Sequence, residues 1–226
     1  MTATAKLIEV SVPAAPVGVV LVLHGGASRR SNTMVSPTQL SVLRMVPIAH
    51  RVARAGSGDL AVFRVLNSVR GWDTKHTPVE DARWALRHVH DRLGGALPTC
   101  LVGHSLGGRA ALLAAGEPAV RSAVALAPWV YPSDAVPRAA NRDFLIVHGT
   151  ADRIASPANS AAVARALAPV ARHVGYVAVK DGKHAMLKRH RTFDGLAADF
   201  AVATLLGKTP DGLVARALAG EQWLEI

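Results

Sequence analysis

Thr99-Cys100-Leu101-Val102-Gly103-His104-Ser105-Leu106-Gly107-Gly108-Arg109-Ala110-Ala111-Leu112-Leu113-Ala114-Ala115 decides the reading of this 226-residue chain. Thr99 to Val102 is a short apolar run of strand type, and Arg109 to Ala115 is a run of strong helix formers. Between them stands Gly-x-Ser-x-Gly, followed by one more glycine. A serine that must stand exposed on a tight strand-to-helix turn needs glycine two residues before and two after it, because a side chain there would strike neighbouring backbone. The third glycine, Gly108, lets the helix pack closely on the sheet. The same turn sets Ser105 at a helix N-terminus, where backbone N–H groups and the helix dipole favour a developing oxyanion.

Working outward, apolar runs of strand length alternate with helix-period segments along the whole chain. Val17–Leu23, Leu60–Leu66, Ser122–Leu126, Phe144–Val147 and Gly175–Val179 have the continuous apolar character of strands buried on both faces. Leu7 to Val12 alternates less cleanly and is expected antiparallel near an edge. Thr77-Pro78-Val79-Glu80 predicts a capped helix with a capping-box glutamate, stopped by Gly94-Gly95. Ser156-Pro157 opens another helix, Pro47 fits the first turn of a third, and a further one is expected from about Phe193 to Leu206. The pattern predicts one α/β domain over residues 1–226: a doubly wound, mostly parallel sheet of about seven strands with helices on both faces and no cap domain. In such sheets the site lies outside the carboxyl ends of the strands. Leu213, Val214, Ala217, Leu218 and Trp223 predict a C-terminal helical extension over 209–226, docked on its own domain.

A serine is a poor nucleophile unless a base takes its proton and a carboxylate orients that base. Two loops at the carboxyl edge supply candidates. His148-Gly149-Thr150-Ala151-Asp152 follows the Phe144–Val147 strand, and Lys180-Asp181-Gly182-Lys183-His184 follows Gly175–Val179. Ser105, Asp152 and His184 thus each stand just past a strand, at the same edge of the sheet. Asp143 lies at the opposite edge, and Asp134 reads as a surface turn in a proline-rich loop. Asp181 reads as a turn residue, His173 precedes its strand, and His190 lies in a basic run. His24-Gly25-Gly26-Ala27, after the Val17–Leu23 strand, offers an oxyanion loop: the Leu106 N–H is one expected donor, and Gly25, Gly26 or Ala27 supplies the other, Gly26 being the first candidate, with His24 as a structural residue.

These motifs resemble those of the α/β-hydrolase superfamily, close to its small lidless serine esterases and dienelactone-hydrolase-like members, over about Leu7 to Leu206. The resemblance implies hydrolysis of a small carboxylic ester or thioester through an acyl-enzyme, with acyl transfer or a non-catalytic binding role as alternatives. Dienelactone hydrolases proper use cysteine, and dehalogenases and epoxide hydrolases use aspartate, so Ser105 argues against those activities. Pro128 to Arg142 is too short for the helical lid that many members carry between strands, so an open cleft is expected.

Composition bounds the rest. The net charge of +10 comes with only 4% aromatic residues and no basic-aromatic stacking pattern, which argues against a nucleic-acid partner. No apolar run approaches the roughly 20 residues of a membrane span, so no membrane partner is expected. A single cysteine, Cys100, allows no internal disulfide, consistent with a cytoplasmic location. The histidines lack paired ligand spacing beside carboxylates, so neither metal nor cofactor is expected. A monomer or homodimer is expected. Trp72, Trp129 and Tyr131 fall in loops on the site side, and Trp72, Trp129 and Arg70 are candidate substrate contacts. Arg29, Arg30, Arg70, Arg153, Lys183, Lys188, Arg189 and Arg191 follow carboxyl-edge turns. A cleft mouth lined by them would draw an anionic ester or thioester.

Overall fold

The computed structural model describes residues 4–26, 35–134 and 139–226. Eight strands form one sheet: β1 (Lys6–Ser11), β2 (Gly18–Leu23), β3 (Leu60–Leu66), β4 (Thr99–His104), β5 (Val120–Leu126), β6 (Asp143–Gly149), β7 (His173–Val179) and β8 (Trp223–Glu225). Their order across the sheet is β1-β3-β2-β4-β5-β6-β7-β8. Every pair is parallel except β1 with β3, so the weakly alternating first strand is the antiparallel edge. The helices are α1 (Leu40–Leu43), α2 (Met45–Ala55), α3 (Thr77–Arg92), α4 (Leu106–Ala114), α5 (Pro157–Leu167), α6 (His190–Leu206) and α7 (Gly212–Leu218).

Strand periodicity divides the core. On β2, Val19, Leu21 and Leu23 point to one face, where they meet Leu86 and Val89 of α3 together with residues of α4 and α5. Val20 and Val22 point to the other, against Ile48 and Val52 of α2, Phe200 of α6 and Val214 of α7. All six residues of β2 and of β4 are buried, which is why these strands read as unbroken apolar runs. At roughly 1.5–3 kcal/mol per buried aliphatic or aromatic side chain, this double layer is the main stabilising contribution.

Four expectations are corrected. The sheet has an eighth strand, and Trp223 lies in it: the C-terminal segment is helix α7 followed by β8, which pairs with β7. Helix α6 begins at His190, before Phe193, and α1 has no counterpart in the sequence reading. The capping box on α3 does not form, because Asp73 takes its place. Asp73 Oδ1 accepts the Thr77 N–H at 2.9 Å and Oδ2 accepts the Thr77 hydroxyl at 2.6 Å, while Glu80 pairs with Arg83. Asp134 is no surface turn; it is buried against Arg109 of α4. The Ser156 cap on α5 forms as expected, its hydroxyl accepting the Asn159 N–H at 3.2 Å. The β5–β6 connection carries one 3-10 turn, Pro132–Asp134, among its described residues. No helix among the described residues is long and apolar enough to cross a membrane.

Candidate active site

Ser105 stands between β4 and α4 with φ 55° and ψ −119°, a strained conformation for a residue with a side chain. The surrounding glycines explain how the chain reaches it. A Cβ on Gly103 would lie 2.1 Å from the Gly107 carbonyl oxygen, and one on Gly107 would lie 2.3 Å from the Leu23 oxygen. Only glycine permits both approaches, so the turn folds back onto itself and onto the end of β2.

The three side chains singled out from the sequence meet here. His184 Nε2 is 3.0 Å from Ser105 Oγ, and His184 Nδ1 is 2.8 Å from Asp152 Oδ2. A carboxylate only accepts, so His184 donates from Nδ1 and leaves Nε2 free to take the serine proton. The two supporting loops are stitched together. The Ala151 N–H donates to the Gly182 carbonyl at 3.0 Å, and the Asp181 N–H donates to the Thr150 hydroxyl at 3.0 Å. A Cβ on Gly149 would sit 2.2 Å from the Gly182 oxygen, so the loops touch backbone to backbone.

Asp152 is held ionised. Burial pushes its carboxyl up, but donation from His148, His184 and the Ile154 and Ala155 N–H groups outweighs this and holds it far below the usual carboxylate range. His148 was missed in the sequence reading. Its Nε2–H donates to Asp152 Oδ2 at 3.1 Å, and its Nδ1 faces the Ser160 hydroxyl at 2.7 Å on α5. His104, the residue before Ser105 in the turn, donates Nε2–H to the His184 carbonyl at 2.8 Å. Burial, reinforced by the neighbouring His184, pushes the His104 imidazole down to about 3, so it is neutral. Arg44, the residue between α1 and α2, donates to the Ala185 carbonyl at 3.1 Å and pairs with Asp194 of α6 at 2.7 Å. No spacing rule marks the His104 and Arg44 contacts, which join residues far apart in sequence.

Gly25 and Gly26 face Ser105 and Leu106 across the cleft. The Leu106 N–H lies in the first turn of α4, where no intrahelical carbonyl reaches it. A Cβ on Gly26 would strike the Arg70 carbonyl at 2.1 Å, so this turn closes only with glycine. The Arg70 loop is in turn anchored where Ser68 donates its N–H to buried Asp81 at 2.8 Å. Ala27 lies outside the described residues. His24 is structural: its ring donates to the Gly25 carbonyl at 2.5 Å and accepts the Asn67 N–H at 3.1 Å, and burial holds it neutral.

The substrate-contact expectations divide. Trp129 lines the cleft. Trp72 does not; its ring lies 4.1 Å from the Arg109 guanidinium carbon, with Tyr131 and Trp129 completing an aromatic cage. Arg70 contributes backbone, its side chain being exposed and away from the cleft. Among the described residues, the basic ones expected at the mouth are not on the cleft wall. Arg153, Lys183, Lys188, Arg189 and Arg191 are exposed but do not line the cleft, and Arg29 and Arg30 lie outside the described residues.

Comparison with solved structures places the chain. Est1E from Butyrivibrio proteoclasticus superposes with a TM-score of 0.65 at 14% identity, over 90% of this chain and 94% of that one. XC6422 from Xanthomonas campestris, a serine hydrolase without a lid, gives 0.64 at 21% identity, over 91% and 90%. An esterase from Pyrobaculum calidifontis gives 0.62 at 18% identity, over 89% and 81%. No family model matches the chain, and no curated protein matches it. The protein has the α/β-hydrolase fold.

Proposed function

We propose that the protein is a serine hydrolase that cleaves a carboxylic ester or thioester through an acyl-enzyme. The observation that carries this reading is the unbroken chain from Ser105 Oγ to His184 at 3.0 Å and from His184 to Asp152 at 2.8 Å, at the floor of an open cleft. In this reading Ser105 Oγ attacks the substrate carbonyl while His184 Nε2 takes its proton. The N–H groups of Leu106 and of Gly26 receive the oxyanion, each donor contributing roughly 2.7–4 kcal/mol of transition-state stabilisation. His184 then gives the proton to the leaving alcohol or thiol. A water attacks the acyl-enzyme by the same route, releasing the acid and restoring Ser105. Asp152 holds the imidazole in the tautomer with its proton on Nδ1 and stabilises the imidazolium.

Labelling with a fluorophosphonate tests this. The folded protein should be labelled, and Ser105→Ala should not be. Undiminished labelling of a folded Ser105→Ala variant would remove Ser105 from the role.

A further inference from the structure

The walls of the cleft carry information that its catalytic floor does not. The cleft encloses about 980 Å³, at the upper end of sites that hold a drug-sized molecule. Four aliphatic side chains on its walls stand in solvent: Leu40 is 83% exposed, Ile154 70%, Leu187 68% and Leu43 45%. Large apolar side chains left in water around one concave site mark a surface that something apolar covers. Leu40 and Leu43 come from α1. Ile154 stands two residues after Asp152, and Leu187 three after His184, so the loops that carry the acid and base also carry the rim. Charge is scarce by comparison. Among the described lining residues, Arg44 and Asp194 are paired with each other at 2.7 Å and are 8% and 6% exposed, so neither is free for a ligand. His104 is neutral, His184 belongs to the catalytic chain, and His190 is the remaining titratable side chain at the wall.

We infer that the substrate is an ester or thioester bearing an extended, uncharged apolar chain, which lies from Ser105 outward along Leu40, Leu43, Ile154 and Leu187. This rests on the hydrolase reading above and narrows it: an apolar substrate takes the place of the anionic one that the basic residues pointed to. An apolar chain removes the four side chains from water together with its own methylenes. Each methylene fully buried raises kcat/KM by roughly fourfold, and one laid along an open wall by less.

The test uses p-nitrophenyl acetate, butanoate and octanoate below their aggregation limits, with an octanoate ester carrying a terminal carboxylate as the charged counterpart. Octanoate should exceed acetate in kcat/KM by about tenfold or more, and the carboxylated chain should fall well below octanoate. Leu40→Ser and Leu187→Ser should each cut the octanoate-to-acetate ratio by about threefold. Both residues are exposed, so far-UV circular dichroism and Tm should match the parent. Preference for acetate, preference for the carboxylated chain, or a ratio unmoved by both substitutions would overturn the inference. Fluorophosphonate labelling in the same preparations separates the two readings. A labelled Ser105 with an acetate preference sinks the apolar chain alone, whereas an unlabelled folded protein sinks the hydrolase reading.

Discussion

Asp152 receives four hydrogen bonds on two oxygens: Oδ1 takes the Ile154 and Ala155 N–H groups, and Oδ2 takes His148 and His184. One oxygen is therefore fixed by backbone, and the other is shared between two imidazoles. His148 is 1% exposed and is itself steadied by Ser160, so it fixes the direction from which Oδ2 meets His184. A hydrogen bond to a charged group contributes about 1.5–3 kcal/mol. His148→Leu should lower stability by about that amount, read from urea denaturation, and should reduce kcat with little change in KM. His148→Gln, which keeps a donor near the position of Nε2, should recover most of both. Equal kcat in parent and His148→Leu would show that Asp152 needs no second imidazole. Ser105, Asp152 and His184 were legible in the sequence because each follows a strand in the required order. His148 was not, because its partner lies across a turn whose shape depends on Gly149 meeting Gly182 in another loop.

Between elements, the Arg109–Asp134 pair ties α4 to the loop that follows β5. Both side chains are 8% exposed, with N···O contacts of 2.8 and 2.9 Å, and Arg109 is faced by Trp72, Trp129 and Tyr131. Removing one member of a buried pair leaves the other charge uncompensated, at a cost of about 3–5 kcal/mol. Asp134→Ala should therefore lose roughly 3 kcal/mol in urea denaturation, the low end, because the aromatic faces still hold part of the guanidinium charge. Joint Arg109→Met and Asp134→Leu replacement should recover most of that loss. A single Asp134→Ala substitution without effect would show that the cage alone carries Arg109. The same pair shows why loops were read less well than strands. A central strand is written locally, in consecutive apolar residues. The burial of Asp134 is decided by a cation 25 residues earlier, on α4, with β5 between them. Likewise Asp73 displaced the expected Thr77 cap because its carboxylate reaches both the N–H and the hydroxyl of that residue. The three-residue strand β8 had no legible period, and only its pairing with β7 defines it.

At the scale of the whole molecule, the sheet ends differently on its two sides. β1 closes one edge in antiparallel pairing, and β8 closes the other with the last residues of the chain. The Tyr176 N–H donates to the Gln222 carbonyl at 2.7 Å and the Lys180 N–H to the Ile226 carbonyl at 2.7 Å, while the Ile226 N–H returns a bond to Ala178 at 3.0 Å. Without those residues, β7 would present unpaired backbone donors and acceptors beside Val177 and Val179, which is a template for another copy of the same chain. A protein truncated after Glu221 should therefore self-associate with rising concentration, seen as a higher weight-average mass in sedimentation, while its fluorophosphonate labelling persists. A truncated chain that sediments as the parent does would show that β7 needs no cover. Self-association of the truncated protein would make the few residues of β8 a guard on solubility: the cleft at one end of the strands stays open to small molecules, while the flank of the sheet stays closed to its own kind.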